Sequence, residues 1–206
     1  MKNKILIISL LCFYVINLTA CESKISNLNS KGKNIICYGD SLTAGEGVEP
    51  KFSYPSLLAK EVNYPVINAG MSGESTTEGL KRIKTDVLEK NPYLVIIEFG
   101  GNDYLEKMSL EDTYKNLEEM IKQIKSSGAI IALVETRAGL VMGEYSSIYR
   151  RLSRKYNTIL VPNILDGIFT QPKLKSDYVH PNAEGYRLMS QRVLKAIKPY
   201  LKGNHK

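Results

Sequence analysis

The apolar residues of the chain fall into short unbroken runs that alternate with longer amphipathic stretches. Five such runs are bounded by Gly, Pro, Asn or polar residues, and they span residues 35–38, 65–68, 93–99, 129–134 and 158–161. Unbroken apolar character in so short a run is typical of strands that are covered on both faces, as in a parallel sheet. The runs therefore predict five parallel β-strands.

The stretches between these strands carry apolar residues every three or four positions, which is the spacing of one face of an α-helix. Ser75 and Glu78 form a capping box at the start of one stretch, and Asn182 is a suitable N-cap for the last. Parallel neighbouring strands need crossover connections of about a dozen residues or more. We therefore predict a three-layer α/β/α sandwich around a five-stranded, doubly wound parallel sheet of the flavodoxin-like kind.

Residues 1–20 are predicted to be a lipoprotein signal peptide. Lys2 and Lys4 precede an apolar run at residues 5–16, which is shorter than the roughly 20 residues that a membrane-spanning helix needs. The run leads to the sequence LTAC, which resembles a bacterial lipobox with Cys21 as the lipidated first residue of the mature chain. The alternative is an ordinary signal peptide that happens to contain a cysteine.

Residues 21–33 are predicted to be the lipidated Cys21 followed by a flexible tether, because the segment is polar and holds few aliphatic side chains. Cys12 leaves with the signal peptide, so Cys37 is the remaining thiol, and its apolar neighbours indicate an unreactive core cysteine. These assignments put a single globular domain at residues 34–206. We expect this domain to be anchored to the cell membrane on its extracytoplasmic face.

Charge changes this picture little. Removing Lys2 and Lys4 from the 28 basic residues leaves 26 against 21 acidic residues. The excess is small, and its densest group, Arg150 to Lys155, has the spacing of a solvated helix face. No nucleic-acid-binding motif accompanies it, so we expect no nucleic-acid partner.

The carboxyl ends of parallel strands are where such folds carry their chemistry, and the predicted loops there contain four polar blocks. The blocks are GDSLTAG at 39–45, NAG at 68–70, GGND at 100–103 and DYVHPN at 177–182. In order and spacing they resemble the blocks of the SGNH hydrolases, the GDSL family of esterases and lipases. With the segment TRAGLVMGEYSSIY, the wider pattern resembles the arylesterase, lysophospholipase and acyl-CoA thioesterase branch.

The resemblance implies a serine esterase that works through an acyl-enzyme and needs no cofactor or metal. Ser41 would be the nucleophile, His180 the base and Asp177 the group that orients the base. The backbone amides of Ser41 and Gly70 and the side chain of Asn102 would form the oxyanion hole. Taken singly, Gly70 is also explained as a turn glycine and Asn102 as a loop-closing residue.

The residues themselves support the triad. Ser41 alone would be better explained as a helix N-cap. The sequence has only two histidines, however, and His205 is second from the carboxyl end, so a serine hydrolase must use His180. Asp177 lies three residues earlier, close enough to orient the ring. Asp40 and Asp103 are interpreted as structural supports of the loops.

The segment after the fourth strand departs from the family pattern, which usually has prolines and an asparagine there. Here the apolar residues Leu140, Val141 and Met142 follow Gly139. We expect these three to bind the acyl chain of the substrate, although they could equally pack down as a small satellite core. The substrate class implied is short- to medium-chain acyl esters or lysophospholipids.

Other functions stay open at this point. A glycan O-acetyl esterase or an acyltransferase would use the same site, because the choice of acceptor depends on pocket shape. A catalytically silent lipoprotein binding module should lack one member of the Ser, His, Asp and Asn set, and this chain has them all. The sequence contains no G-x-S-x-G, H-E-x-x-H or phosphate-loop motif, which disfavours an α/β-hydrolase, a zinc hydrolase and a nucleotide-binding loop.

Overall fold

The computed structural model describes residues 25–137 and 143–202. Its five strands form one sheet in the order β2-β1-β3-β4-β5, with all neighbours parallel. The strands are β1 Asn34–Gly39, β2 Val66–Gly70, β3 Pro92–Glu98, β4 Ile130–Val134 and β5 Ile159–Val161. All five predicted strands are therefore confirmed, with ends displaced by at most two residues.

Helices connect the strands, and the two predicted helix caps are present. The α-helices of the described residues are α1 Ser41–Ala44, α2 Tyr54–Leu58, α3 Thr76–Asp86, α4 Gly101–Leu105, α5 Leu110–Ser126, α6 Gly143–Tyr156 and α7 Ala183–Ile197. Short 3₁₀ turns occur at Pro50–Phe52, Leu88–Lys90, Pro172–Leu174 and Lys198–Tyr200. Ser75 and Glu78 form the capping box of α3, and Asn182 caps α7 by accepting the N–H groups of Glu184 and Gly185.

The sheet separates two apolar cores, as the predicted three-layer sandwich requires. Along β1, Ile35 and Cys37 point to a core shared with α2 and α7, whereas Ile36 and Tyr38 point to a core shared with α3, α5 and α6. Side chains of a strand alternate between faces, so an unbroken apolar run feeds both cores at once. Each fully buried aliphatic side chain contributes about 1.5–3 kcal/mol.

The thiol of Cys37 is fully buried in the first of these cores. Burial raises its pKa to about 12, with a hydrogen bond to Tyr54 opposing the shift. The thiolate, which is the reactive form of cysteine, is therefore disfavoured. This agrees with the predicted unreactive core cysteine.

The strand order reverses direction between β1 and β3, because the chain passes from β1 to β2 on one side and then crosses to β3 on the other. The loops that follow β1 and β3 consequently diverge and leave a crevice outside their carboxyl ends. GDSLTAG follows β1 and GGND follows β3, so two of the four polar blocks meet at this crevice.

The prediction of a flexible tether is wrong for residues 25–33, because they lie against the domain. The side-chain amide of Asn27 donates to the carbonyl oxygens of Lys125 and Ala129 at 2.8 and 2.9 Å. Ile25 and Leu28 pack against the first core. The domain thus begins before Asn34, because acceptors supplied by the domain compensate for the polar composition of this segment.

The signal peptide and Cys21 lie outside the described residues. Within residues 25–137 and 143–202, no helix is long and apolar enough to cross a membrane.

Candidate active site

Ser41 is the first residue of α1, immediately after the turn that ends β1. The N-cap of α1 is Asp40, whose carboxylate oxygen Oδ1 accepts the N–H of Leu42 at 3.0 Å. The alternative explanation of Ser41 as a helix cap therefore does not apply. Because Asp40 has that role, the Ser41 hydroxyl is available for another partner, and it lies 3.0 Å from Nε2 of His180.

His180 is held between Ser41 and Asp177. Its Nδ1 lies 2.8 Å from Oδ2 of Asp177, on the side of the ring opposite Ser41. A carboxylate only accepts hydrogen bonds, so Nδ1 carries the proton and Nε2 is left to accept one from Ser41. The structure thus brings the three predicted triad residues into one hydrogen-bonded chain, although they are separated by up to 139 positions in sequence.

Asp177 is kept ionised by its own loop. Its Oδ1 accepts the backbone N–H groups of Val179 and His180, both at 2.7 Å. The N–H of His180, the imidazole and the N–H of Val179 together lower the pKa of Asp177 to about 2. The carboxylate therefore remains charged at every pH at which an esterase of this kind would work.

The loop that carries Asp177 and His180 is fastened at both ends. Ser176 N–H donates to His180 O at 2.9 Å, and Asn182 N–H donates to Leu174 O at 2.9 Å. Tyr186 on α7 donates its hydroxyl to the carbonyl of Glu46, which follows α1, at 2.9 Å. The last contact connects the helix that follows the loop of the base to the segment that follows the nucleophile, and so stabilises the distance between them.

Asn102 lies in the same crevice, on the first turn of α4. Gly100, just before it, has a φ of 114°, a left-handed conformation that suits glycine, and a Cβ there would lie 2.1 Å from the hydroxyl of Tyr149. One N–H of the Asn102 amide donates to Glu74 O at 2.8 Å. The amide has a second N–H that can donate to a ligand.

Gly70 is not where the sequence predicted it. Its N–H donates to Oδ1 of Asn68 at 3.0 Å, and the residue lies in a cleft on the outer edge of the sheet with Arg82 and Asp86. The prediction of Gly70 as an oxyanion donor is wrong, because β2 continues through this residue and directs its N–H toward Asn68. The chain reaches the Asn102 side chain only afterwards, at Glu74.

A second pair of carboxyl groups, Asp40 and Glu98, lies buried beneath Ser41. Glu98 accepts the hydroxyls of Thr43 and Thr136 at 2.8 and 3.1 Å and is hydrogen-bonded to Asp40. Burial, and then the charge of Glu98, raise the pKa of Asp40 well above its usual range, and burial also raises the pKa of Glu98. Two adjacent buried carboxyl groups do not both ionise readily, so the pair favours a shared proton.

Asp103 is the third buried carboxyl group of the crevice, and it serves as a loop support. Its oxygens accept the N–H of Thr76 at 2.9 Å and the hydroxyl of Thr113 at 3.0 Å. Asp103 thereby connects the starts of α3 and α5 to the GGND loop. This is the structural role that the sequence predicted for it.

An apolar pocket of about 150 Å³ opens beside Ser41 and Asn102. Its apolar lining comes from four separate segments: Leu42, Tyr104, Leu105, Leu165, Phe169 and Val179. Leu105 is 63% exposed, although it is a large aliphatic residue. The predicted acyl-binding residues Leu140, Val141 and Met142 lie outside the described residues.

The sequence reasoning missed this lining for two reasons. Leu105 lies two residues after the GGND block and Val179 lies inside the DYVHPN block, where the polar side chains form the recognisable motif and their apolar neighbours are not part of it. Leu165 and Phe169 lie in an irregular segment after β5 that has no motif of its own.

Comparisons with known proteins agree with this geometry. Residues 37–188 match the GDSL-like Lipase/Acylhydrolase family. The chain is 30% identical over 192 residues to an arylesterase of Vibrio mimicus, which covers 88% of this chain and 94% of that protein. It is 26% identical over 179 residues to thioesterase 1/protease 1/lysophospholipase L1 of Escherichia coli K12, covering 83% of this chain and 85% of that protein.

A solved structure is similar over the same region. The crystal structure of TesA superposes with a TM-score of 0.78 at 28% sequence identity, covering 82% of this chain and 100% of the other. The fold, the crevice and the matched sequence all lie within the same part of the molecule. This chain belongs to the GDSL-like lipase/acylhydrolase family, also called the SGNH hydrolases, and is a serine hydrolase of ester bonds.

Proposed function

We propose that the protein is an exported, lipid-anchored esterase that cleaves short- to medium-chain acyl oxygen esters, lysophospholipids among them. The observation that carries this proposal is the hydrogen-bonded chain from Asp177 through His180 to Ser41, which opens on an apolar pocket. The names arylesterase and lysophospholipase among the relatives agree with carboxylic esters of this kind. Coenzyme A esters are scarce outside the cytoplasm, which favours oxygen esters over thioesters.

In the first half of the reaction, the Ser41 hydroxyl attacks the ester carbonyl and its proton passes to Nε2 of His180. The imidazolium that forms is stabilised by the Asp177 carboxylate, which stays where it is and takes no proton. Collapse of the tetrahedral intermediate breaks the bond to the alcohol, and Nε2 returns the proton to the departing oxygen. The acyl group is then an ester of Ser41.

In the second half, water takes the place of the alcohol. His180 removes a proton from the water as its oxygen attacks the acyl-enzyme, and it then protonates Ser41 Oγ as the carboxylic acid leaves. The same Nε2 serves as base and acid in both halves. The protein therefore needs one fixed imidazole and no further proton carrier.

The developing oxyanion needs N–H donors, and the crevice offers two sources. Ser41 N–H is at the start of α1, where the leading amides of a helix have no intrahelical acceptor. Asn102 offers the second hydrogen of its amide, since the first is held by Glu74 O at 2.8 Å. We assign a third donor to the loop 71–75, in place of Gly70, because this loop contacts Asn102 through Glu74 and is open around Gly73.

The apolar pocket determines which acyl groups are cleaved best. Each methylene that the pocket buries adds at most about 0.8 kcal/mol of binding, equivalent to about fourfold in kcat/KM. Specificity should rise with chain length until the pocket is full and then level off. A panel of p-nitrophenyl esters from acetate to decanoate measures this dependence directly.

The variant that tests the pocket is Leu105→Asp, which puts a charge on its lining. We expect kcat/KM for hexanoate and longer esters to fall by about tenfold or more, while the acetate ester is affected less, because its short acyl group buries little surface. Lys60→Gln changes the net charge by the same amount at an exposed site after α2 and should leave the chain-length profile unchanged.

An opposite result would favour a different substrate. Activity confined to acetyl esters of sugars, with the same chain-length profile in Leu105→Asp and the parent protein, would contradict the acyl-lipid proposal. The glycan O-acetyl esterase would then be the better description of the same triad.

Lipid attachment at Cys21 is tested separately. Metabolic labelling with an alkynyl palmitate should label the parent protein and spare Cys21→Ser, which should remain uncleaved or appear in the soluble exported fraction. Absence of label on the parent protein would contradict the anchor and leave the esterase unaffected.

A further inference from the structure

Residues 25–33 are fastened to the edge of the sheet at which the strands begin. Ser26 N–H donates to Asn157 O at 2.9 Å, and its hydroxyl donates to Tyr156 O at 3.0 Å, just before β5. Lys33 N–H donates to Asn91 O at 2.9 Å, just before β3. Asn27, as described above, bonds to carbonyls just before β4. One short segment is thus bound at the amino ends of three parallel strands.

The candidate active site lies at the opposite edge. Ser41 follows β1, Asn102 follows β3 and Thr136 follows β4, and all three line the apolar pocket. Because strand residues rise by about 3.3 Å each, the α-carbons of Asn34 and Gly39 at the two ends of β1 are about 17 Å apart. The docked segment and the pocket therefore lie at opposite ends of the strands, about this distance apart along β1.

The chain between Cys21 and the docked segment is too short to bridge that separation. Four residue steps connect Cys21 to Ile25, and a fully extended chain spans at most about 3.6 Å per step, or about 14 Å in all. For the pocket to face the membrane that holds Cys21, this stretch would have to pass along the full height of the sheet.

We propose that the mouth of the pocket faces away from the anchoring membrane, and that the enzyme acts on acyl esters that reach it from outside this bilayer. This inference rests on the proposed lipid anchor at Cys21. In this orientation lipids of the anchoring bilayer do not contact the pocket, whatever their fit to it. The substrates are esters that diffuse in the external space or are carried by layers beyond the membrane.

The surface around the mouth fits such a substrate. Tyr178 is 92% exposed and Val179 42% exposed beside His180, and Leu105 is exposed on the facing loop. Exposed apolar side chains around a catalytic crevice can receive an acyl group that arrives from solution.

The orientation is tested by distance to the bilayer. After processing, Cys21 carries lipid and Cys37 is buried, so a single introduced cysteine is the reactive thiol. A donor dye is attached to Asn29→Cys in the docked segment or to Glu106→Cys beside the mouth. The lipidated proteins are reconstituted in phosphatidylglycerol and phosphatidylethanolamine vesicles that contain a headgroup-labelled acceptor. Cys21→Ser forms of both variants, purified from the soluble exported fraction, give the signal without an anchor.

We expect energy transfer to be several-fold more efficient from position 29 than from position 106. Equal transfer, or stronger transfer from position 106, would overturn the inferred orientation. Transfer from both positions that is no stronger than in the Cys21→Ser forms would overturn the anchor, and with it the inference.

The consequence for substrates is tested by lengthening the connection. About 40 Gly and Ser residues inserted between Ser23 and Lys24 have a root-mean-square span of about 35 Å, which is enough to pass around the domain. The parent and the inserted form are compared on a non-exchanging fluorogenic ester lipid in their own vesicles. A soluble p-nitrophenyl ester serves as the control for each protein.

We expect both forms to cleave the soluble ester equally, and the parent to leave the vesicle ester intact or to cleave it several-fold more slowly than the inserted form. If the parent cleaves the vesicle ester as fast as the inserted form does, the inference is overturned. If both forms fail on the soluble ester, the esterase proposal fails, and this outcome is distinct from the first.

Discussion

Two carboxyl sites flank Ser41, and the pKa values of their carboxyl groups are shifted in opposite directions. Asp177 lies on an exposed loop, where N–H donors lower its pKa to about 2. Asp40 and Glu98 lie in the interior, where burial raises their pKa values. One site thus keeps a full negative charge next to the imidazole, and the other keeps a proton beneath the nucleophile. The comparison indicates that location, not residue type, decides which carboxyl group stays ionised and which retains a proton and supports the fold.

The difference has a chemical reason. During the reaction His180 becomes positively charged, and a fixed carboxylate 2.8 Å from Nδ1 stabilises that charge. If both buried carboxyl groups were ionised, two negative charges below Ser41 would oppose the developing oxyanion. A pair that retains a shared proton carries one negative charge instead of two, which lessens this repulsion, and it still accepts the hydrogen bonds that hold the turn.

Asp177→Asn should have the largest effect in this comparison. The amide cannot stabilise the imidazolium and favours the wrong tautomer, so we expect kcat to fall by about 10⁴-fold. The urea midpoint should change little, because Asp177 is half exposed. Glu184→Gln, an exposed acid on α7, is the matched control and should retain full activity. Turnover within tenfold of the parent would contradict the role of Asp177.

Glu98→Ala should affect stability more than activity, which is the reverse of the result expected for Asp177→Asn. Removing Glu98 leaves the buried hydroxyls of Thr43 and Thr136 without their acceptor and opens a cavity, which should cost about 2–4 kcal/mol of unfolding free energy. Urea denaturation measures this loss. Glu98→Gln keeps the volume and one acceptor oxygen, and it should lose less. An unchanged urea midpoint in Glu98→Ala would show that the pair is not a structural support.

Thr136→Val should have a smaller effect of the same kind. It removes one of the two hydroxyl donors to Glu98 and leaves the shape of the side chain intact. We expect a loss of about 1 kcal/mol in unfolding free energy, measured in the same urea series. A loss as large as that of Glu98→Ala would mean that Thr136 contributes through packing against the pocket.

The two sites should contribute to the pH dependence of the unfolding free energy with opposite signs, and both contributions should be modest. The folded pKa of Asp177 is below its ordinary value, so its contribution is complete above about pH 4 and is lost as the pH falls toward 2. The folded pKa values of Asp40 and Glu98 are raised, so the folded state holds protons that the unfolded chain has released. Their effect has the opposite sign, and stability falls as the pH rises above about 4.

Unfolding free energies measured from pH 2 to 8 check both signs. Asp177→Asn should lose the decline of stability at acidic pH, and the amplitude should be small because solvent screens this exposed group. Glu98→Gln should flatten the decline toward neutral pH. The same slope in all three proteins would contradict the assignment of the two sites.

The strands, the caps and the triad could be predicted because each has a local signal. Apolar runs predicted five strands to within two residues, and Ser75, Glu78 and Asn182 have the capping roles that short-range spacing indicates. Ser41 and His180 could be paired without a structure, because both lie in loops on one edge of a parallel sheet and few histidines compete. These local patterns agree with the folded structure because secondary structure and topology follow from patterns within a few residues.

Three features had no such signal. Gly70 was assigned to the oxyanion hole from its block, but the direction of a single N–H depends on where β2 ends and on the competing side chain of Asn68. The docking of the Ser26 and Asn27 side chains depends on carbonyls 98 to 130 positions away. The pocket lining from Leu105, Leu165 and Phe169 depends on how separate loops approach each other.

The sequence by itself determined the layer architecture, the chemical groups of the triad and the edge of the sheet on which they lie, because hydrophobic period and topology suffice for these. Only the tertiary structure decided which acid stays charged, which backbone N–H faces the crevice, and that the amino-terminal segment is fastened to the far edge. These properties depend on burial and on distances of a few ångströms between residues remote in sequence, and a one-dimensional pattern does not encode either quantity.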